Sequence, residues 1–225
     1  MKLFIALVML LAAGIHAHAQ GIVYFSYGAG VWVGFSESFA PQDTLIMDLN
    51  GDGVNDFRFV GESAFGGGLY LEPQNRNGVL GYPADRFSSA YLVRRLAAGN
   101  DISSTTSSGL LYVGYNPQPL SSITGPYLLY NLSRGGDGGG EFARANSRQT
   151  EGYVGVQFFA ADGLHYGWIR VRGGNYNDGR ILDYAYNTVP GQGLAAGVVP
   201  EPSTLALLAL GVAALFKFRP QPRPD

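Results

Sequence analysis

From residue 22 onward the chain is interrupted every few positions by glycine, proline, asparagine or aspartate, with short runs of Val, Ile, Leu, Phe and Tyr between the breaks. An extended 3.6-residue pattern cannot survive such punctuation. Glycine and proline inside a helix cost about 1 and about 3 kcal/mol respectively. Branched and aromatic side chains suit a pleated, half-buried surface. Segments 22–27, 31–35, 44–48, 56–60, 69–72, 110–115, 153–160, 166–172 and 181–186 therefore read as strands. Many short strands joined by polar turns predict an all-β single domain, a β-sandwich or jelly roll.

The clearest alternation runs from His165 to Arg172. It puts Gly167, Ile169 and Val171 on a core-directed face, and Tyr166, Trp168, Arg170 and Arg172 on the other. That second face either stacks a sugar or buries Trp168 as ordinary sheet packing, and packing is the simpler expectation. Residues 88–98 read equally as a helix stopped by Gly99 or as a strand entering a turn. Residues 101–108 and 133–140 read as surface loops. The latter (SRGGDGGG) lacks the Gly-Lys-Ser/Thr ending of a phosphate loop. Gly28, Gly30 and Gly34 precede no helical pattern, so they make no dinucleotide fingerprint.

Charge and rare residues exclude several chemistries. Residues 20–202 hold eleven Arg, no Lys and sixteen Asp plus Glu, a net charge of −5. No basic stripe can track phosphates, so nucleic acid is not an expected partner. There is no cysteine, which removes thiolate catalysis and thiolate metal sites. His165 is the sole histidine after residue 18, and no serine sits in a Gly-x-Ser-x-Gly elbow. No catalytic constellation is evident, although Glu37, Glu62, Glu72, Glu141 and Glu151 could pair in space as glycosidase carboxylates do.

One loop carries cation chemistry. Asp48, Asn50 and Asp52 alternate with Leu49 and Gly51, followed by Gly53, Val54 and Asp56. Calcium takes six to eight oxygens, and side chains of Asp48, Asn50, Asp52 and Asp56 with the Val54 carbonyl could supply them as a structural site. Phe59 stands where an EF-hand needs its bidentate glutamate, and the flanks read as strands. The segment resembles the shorter Asp-x-Asn-x-Asp-Gly calcium loops between strands of exported bacterial proteins. The alternative is a hairpin turning on Asn50-Gly51 or Asp52-Gly53 with solvated carboxylates.

The two ends set the compartment. Met1-Lys2, an apolar run from Leu3 to Ala13 and Ala17-His18-Ala19 have the form of a signal peptide over residues 1–19. The β-rich extracytoplasmic domain is then expected at 20–198 and a sorting tail at 199–225. Pro200-Glu201-Pro202 precedes an uncharged run from Leu205 to Phe216, with Lys217, Arg219 and Arg223 behind it. As a helix, residues 204–218 span about 22 Å, short of a ~30 Å hydrocarbon core unless Lys217 snorkels. Lys217 and Arg219 flank the membrane anchor on its cytoplasmic side, leaving the domain outside the inner membrane.

Those three parts in order resemble the PEP-CTERM sorting signal of Gram-negative bacteria. The resemblance implies recognition by an exosortase, a membrane-embedded cysteine protease, which processes the chain near Pro200-Glu201-Pro202. The basic residues are spaced by Phe and Pro rather than clustered, a departure that bears on sorting efficiency. Segments 153–158, 165–171, 183–186 and 190–192 also resemble the ending of many PEP-CTERM proteins of biofilm-forming bacteria, a group that implies a destination and a β fold but no activity. The expected function is that of a non-enzymatic cell-surface or extracellular-matrix protein, associated with biofilm exopolysaccharide. The alternatives are a calcium-dependent lectin-like carbohydrate-binding module and a glycan-acting enzyme with paired carboxylates.

Overall fold

In a computed structural model of the chain, residues 21–34, 44–62, 68–83, 91–105, 110–114, 126–130, 141–142, 150–173 and 178–200 are described. Among them every element is a strand: β1 (Ile22–Gly34), β2 (Thr44–Met47), β3 (Phe57–Glu62), β4 (Gly68–Pro73), β5 (Gly78–Pro83), β6 (Tyr91–Val93), β7 (Asp101–Ile102), β8 (Leu111–Gly114), β9 (Pro126–Tyr130), β10 (Glu151–Ala160), β11 (Gly163–Gly173), β12 (Asp178–Asn187) and β13 (Leu194–Ala195). They belong to one compact unit, Val23–Val198. The expected signal peptide and membrane segment lie outside the described residues. Among the described residues no helix is long and apolar enough to cross a membrane.

The main sheet runs β1-β12-β11-β10-β5-β6-β9-β4-β3-β2, with β8 also paired to β5, while β13 and β7 form a separate pair. Its spine is the meander β10–β11–β12. Glu151 to Ala160 pairs with Arg172 back to Gly163, and β12 pairs with β11 across a register shift between Arg170 and Val171. Val154, Val156 and Phe158 of β10 share the core face with Ile169 and Val171 of β11 and with Ile181 of β12.

Phe57 and Phe59 of β3 and Leu69 and Leu71 of β4 join the same core cluster. These strands stand near the opposite end of the sheet order, and β12 packs against β4. A flat sheet could not gather both ends, so the sheet curls over its own apolar face. Burying each of these large side chains stabilises the fold by about 1.5–3 kcal/mol.

All nine segments expected as strands are extended over most of their length. The two at 22–27 and 31–35 merge into β1, which passes through Gly28 and Gly30 with φ of 64° and 85°. Of the ambiguous segment 88–98, residues 91–98 are described and hold no helix: Tyr91–Val93 is strand β6, and Leu96 makes a bridge to Tyr153, while 88–90 lie outside the described residues. Of the two expected loops, Asp101–Ile102 is strand β7, and 133–140 lies outside the described residues.

Candidate functional site

Residues 48–56 connect β2 to β3, whose last pair is Met47↔Phe57. Asp56 N donates to the Met47 carbonyl at 2.8 Å and closes the connection. Inside it the side chains cap the backbone. Asp48 Oδ1 accepts from Gly51 N at 2.7 Å and Oδ2 from Gly53 N at 2.8 Å; Asn50 Oδ1 accepts from Asp52 N at 3.2 Å; Asp52 Oδ1 accepts from Val54 N at 2.8 Å. Gly51 and Gly53 hold φ of 75° and 84°, which suits residues without a Cβ. Short Asx side chains bonding to the backbone a few residues on explain why this composition turns here.

Asp56 points the other way. It is buried, with Oδ2 accepting from Leu49 N at 2.8 Å and Oδ1 from Asn77 Nδ2 at 2.9 Å. Burial, seconded by the charges of Asp48 and Asp52, raises its pKa to about 6. Asn77, between β4 and β5, also accepts from Phe159 N of β10 at 2.9 Å. It therefore ties the loop's exit to the central meander. Reading the sequence missed Asn77, because a polar residue between two turns carries no signal of burial. The carboxylates of Asp48, Asp52 and Asp56 are thus engaged separately. Among the described residues no three His, Cys, Asp or Glu side chains are gathered as a metal site.

A second polar group crosses four strands. Arg170 of β11 clamps Asp183 of β12, with Nε donating to Oδ1 at 2.9 Å and Nη2 to Oδ2. Tyr24 of β1 donates to Asp183 Oδ2 at 3.1 Å. Glu151 of β10 accepts from Arg172 at 2.9 and 2.7 Å and from Arg170 at 3.4 Å. Such forked guanidinium–carboxylate pairs fix geometry as well as charge.

Further along the same face Trp168 is 1% exposed. The Tyr153 ring meets it edge-on at 5.1 Å, and Tyr24 packs tilted at 6.1 Å. Its indole Nε1 donates to the Val198 carbonyl at 3.2 Å. Residues 193–198 form a strap: β13 pairs with β7, Gly99 N donates to Ala196 O, and Ala196 N donates to Asn100 O, both at 2.8 Å. Trp168 is a packing residue beneath that strap.

The other chemically active groups are held in structural pairs. His165 is buried, with Nδ1 at 2.8 Å from Asn187 O and Nε2 at 2.8 Å from Asp162 Oδ1. Glu141 accepts from Arg94 Nη1 and from Arg95 N, each at 2.7 Å. Arg58 pairs with Glu72 across β3 and β4. Glu37, the Glu62 side chain, Glu201, Pro202, Lys217 and Arg219 lie outside the described residues, and Pro200 is the last described residue.

In sequence, the sorting motif begins at the last residue of the strap. Residues 198–223 match the PEP-CTERM protein-sorting motif. The chain carries that sorting signal. The motif marks an exported protein, directed to an exosortase and anchored to the membrane through its tail before reaching the cell surface. No curated protein and no solved structure matches the chain.

Proposed function

We propose that this is a non-enzymatic surface or extracellular-matrix protein, a sandwich-like β domain held at the inner membrane by its tail and released by processing near Pro200-Glu201-Pro202. The observation that carries the reading is the sorting motif at 198–223, joined directly to a β unit that ends at Val198. The pairing of Glu72, Glu141, Glu151 and His165 with structural partners supports a scaffold role for them. The test is fractionation of a producing cell with and without its exosortase. With the enzyme, the domain should reach the surface or matrix without residues 205–216; without it, or with Glu201→Ala, the full chain should stay in the inner membrane. A surface protein still carrying 205–216 would sink the proposal.

The loop at 48–56 is proposed as a structural calcium site of modest affinity. Burial is the main cause of the raised Asp56 pKa, and the charges of Asp48 and Asp52 add a smaller repulsion that a cation would relieve. A carboxylate oxygen that accepts one N–H keeps a second lone pair. The ion would therefore spare the capping bonds, but it must draw the carboxylates together. Calcium should raise the thermal midpoint relative to chelator, and Asp52→Asn should abolish the difference. Equal midpoints for the native protein would exclude the site.

A further inference from the structure

The two ends of the main sheet are built differently. β2 at one end is four residues long and runs straight into the loop carrying Asp48 and Asp52. A short strand beside charged side chains is poorly suited to pairing with another chain. β1 at the other end has neither protection. Its thirteen residues (IVYFSYGAGVWVG) include no charged side chain and no proline, and among the described residues its only strand partner is β12. Gly28 and Gly30, with φ of 64° and 85°, interrupt the strand, and the Arg180 guanidinium lies over the Trp32 ring beyond them. Residues 23–27 remain as an uninterrupted, uncharged stretch of edge.

That stretch is held in place by the fold yet stays open. Tyr24 donates to Asp183 and its ring packs against Trp168, while Phe25 stacks on Tyr184 at 5.4 Å. Val23, Tyr24 and Phe25 are nonetheless 38%, 39% and 45% exposed. An edge strand fixed by its side chains keeps its outward N–H and C=O groups aligned, so pairing has little ordering entropy to overcome. A strand laid alongside would take up those groups and cover the exposed flanks of all three residues.

We propose that β1 is a homotypic docking edge: residues 23–27 of one copy pair antiparallel with residues 23–27 of a second copy, joining their sheets. A two-fold contact sets a segment against itself, so any charge in it meets its own like across the pair. This edge holds none. Elsewhere the net charge of −5 over residues 20–202 keeps copies apart, and an acidic or basic peptide finds no counter-charge on 23–27. Three partly covered side chains leave well under the ~800 Å² that each partner lends to a standard interface. The free pair is therefore weak, dissociating at micromolar concentrations or above, and it gains strength where many copies are tethered together. Only that last step leans on the surface-protein reading.

The test uses the full-length protein in detergent and exploits its lack of cysteine. Single cysteines replace Val23, Tyr24, Phe25, Ser26 and Tyr27 in turn, with Ile46→Cys on β2 as the control, and each protein is oxidised. Paired Cα atoms stand about 4.5–5.5 Å apart, within disulfide reach, and each position away from the two-fold adds about 7 Å. Covalent dimers should therefore peak at one position or two neighbours and fall away on both sides, with none from Ile46→Cys. In sedimentation equilibrium the native protein should pass from monomer to dimer with concentration. Val23→Lys, at an exposed position, should weaken that step about tenfold or more. Thermal midpoints identify any variant that misfolds. No dimer at any concentration, or a flat crosslinking profile, would overturn the proposal. So would crosslinking matched by Ile46→Cys, or native association by folded Val23→Lys, the mark of a tail-driven contact. A monomeric protein with normal tail processing would leave the surface-protein reading intact.

Discussion

Asp56 shows how a residue chosen for its charge can serve the fold through its burial. Its carboxylate ties Leu49 N to Asn77 Nδ2, and Asn77 reaches on to Phe159. Burial raises its pKa to about 6, above the value near 3.9 expected in an unfolded chain. Folding thus favours the protonated form. The stability linked to this group is fully present below about pH 4 and is lost as pH rises through about 6, a change of about 3 kcal/mol. Denaturant titrations across that interval should show stability falling as pH rises, and Asp56→Asn should remove the slope. The same substitution leaves one of two donors facing an amide N–H, so about 1 kcal/mol should be lost at low pH. An unchanged slope in the variant would assign it to another group.

At the scale of elements, β10 is legible because its period-2 pattern largely coincides with one buried face. β11, β12 and β4 are buried on both faces and are legible instead as runs of branched and aromatic residues between turn residues. β5 went unread although it pairs with β10, β6 and β8, because Gly78, Gly81 and Pro83 look like punctuation. In place Gly78 allows close approach: a Cβ there would stand 3.1 Å from the Tyr112 Cβ. β7, β13 and β9 are too short, or too close to proline, to show alternation. The calcium-like pattern at 48–56 was legible as a turn, but the inward direction of Asp56 depends on Asn77, over twenty residues away. Gly167, read from alternation as core-directed, has a sharper role, since its Cβ would lie 2.5 Å from the Ala185 carbonyl oxygen across β11 and β12. Gly167→Ala should force the two backbones apart and cost about 1–3 kcal/mol, seen as a lower thermal midpoint. Trp168→Phe should act locally. It leaves the Val198 carbonyl without its donor, so amide exchange should quicken at Gly99 and Ala196 while β10 and β11 keep their protection.

For the whole molecule, the position of the strap relative to the sorting motif decides what processing can leave behind. The strap is part of the fold: Leu194 and Ala196 are buried, β13 completes the pair with β7, and Val198 caps the Trp168 indole. Pro200 follows two residues later. A cut near Pro200-Glu201-Pro202 therefore removes no strap residue, whereas a cut that removes the strap would uncover Trp168 and Ile102. A chain ending at Val198 should keep the bonds that hold Trp168. One ending at Gly191 should lose them, with a stability lower by roughly 2–5 kcal/mol for the exposed apolar side chains and broken backbone pairs. Its tryptophan emission should shift to the red as Trp168 meets water. If the two truncations melt alike, the strap is an ornament of the β unit and the proximity of fold and sorting motif has no energetic meaning. If they differ as expected, the folded domain sets an upstream limit to processing that leaves it stable, since a cut ahead of the strap gives up the bonds that end at Val198.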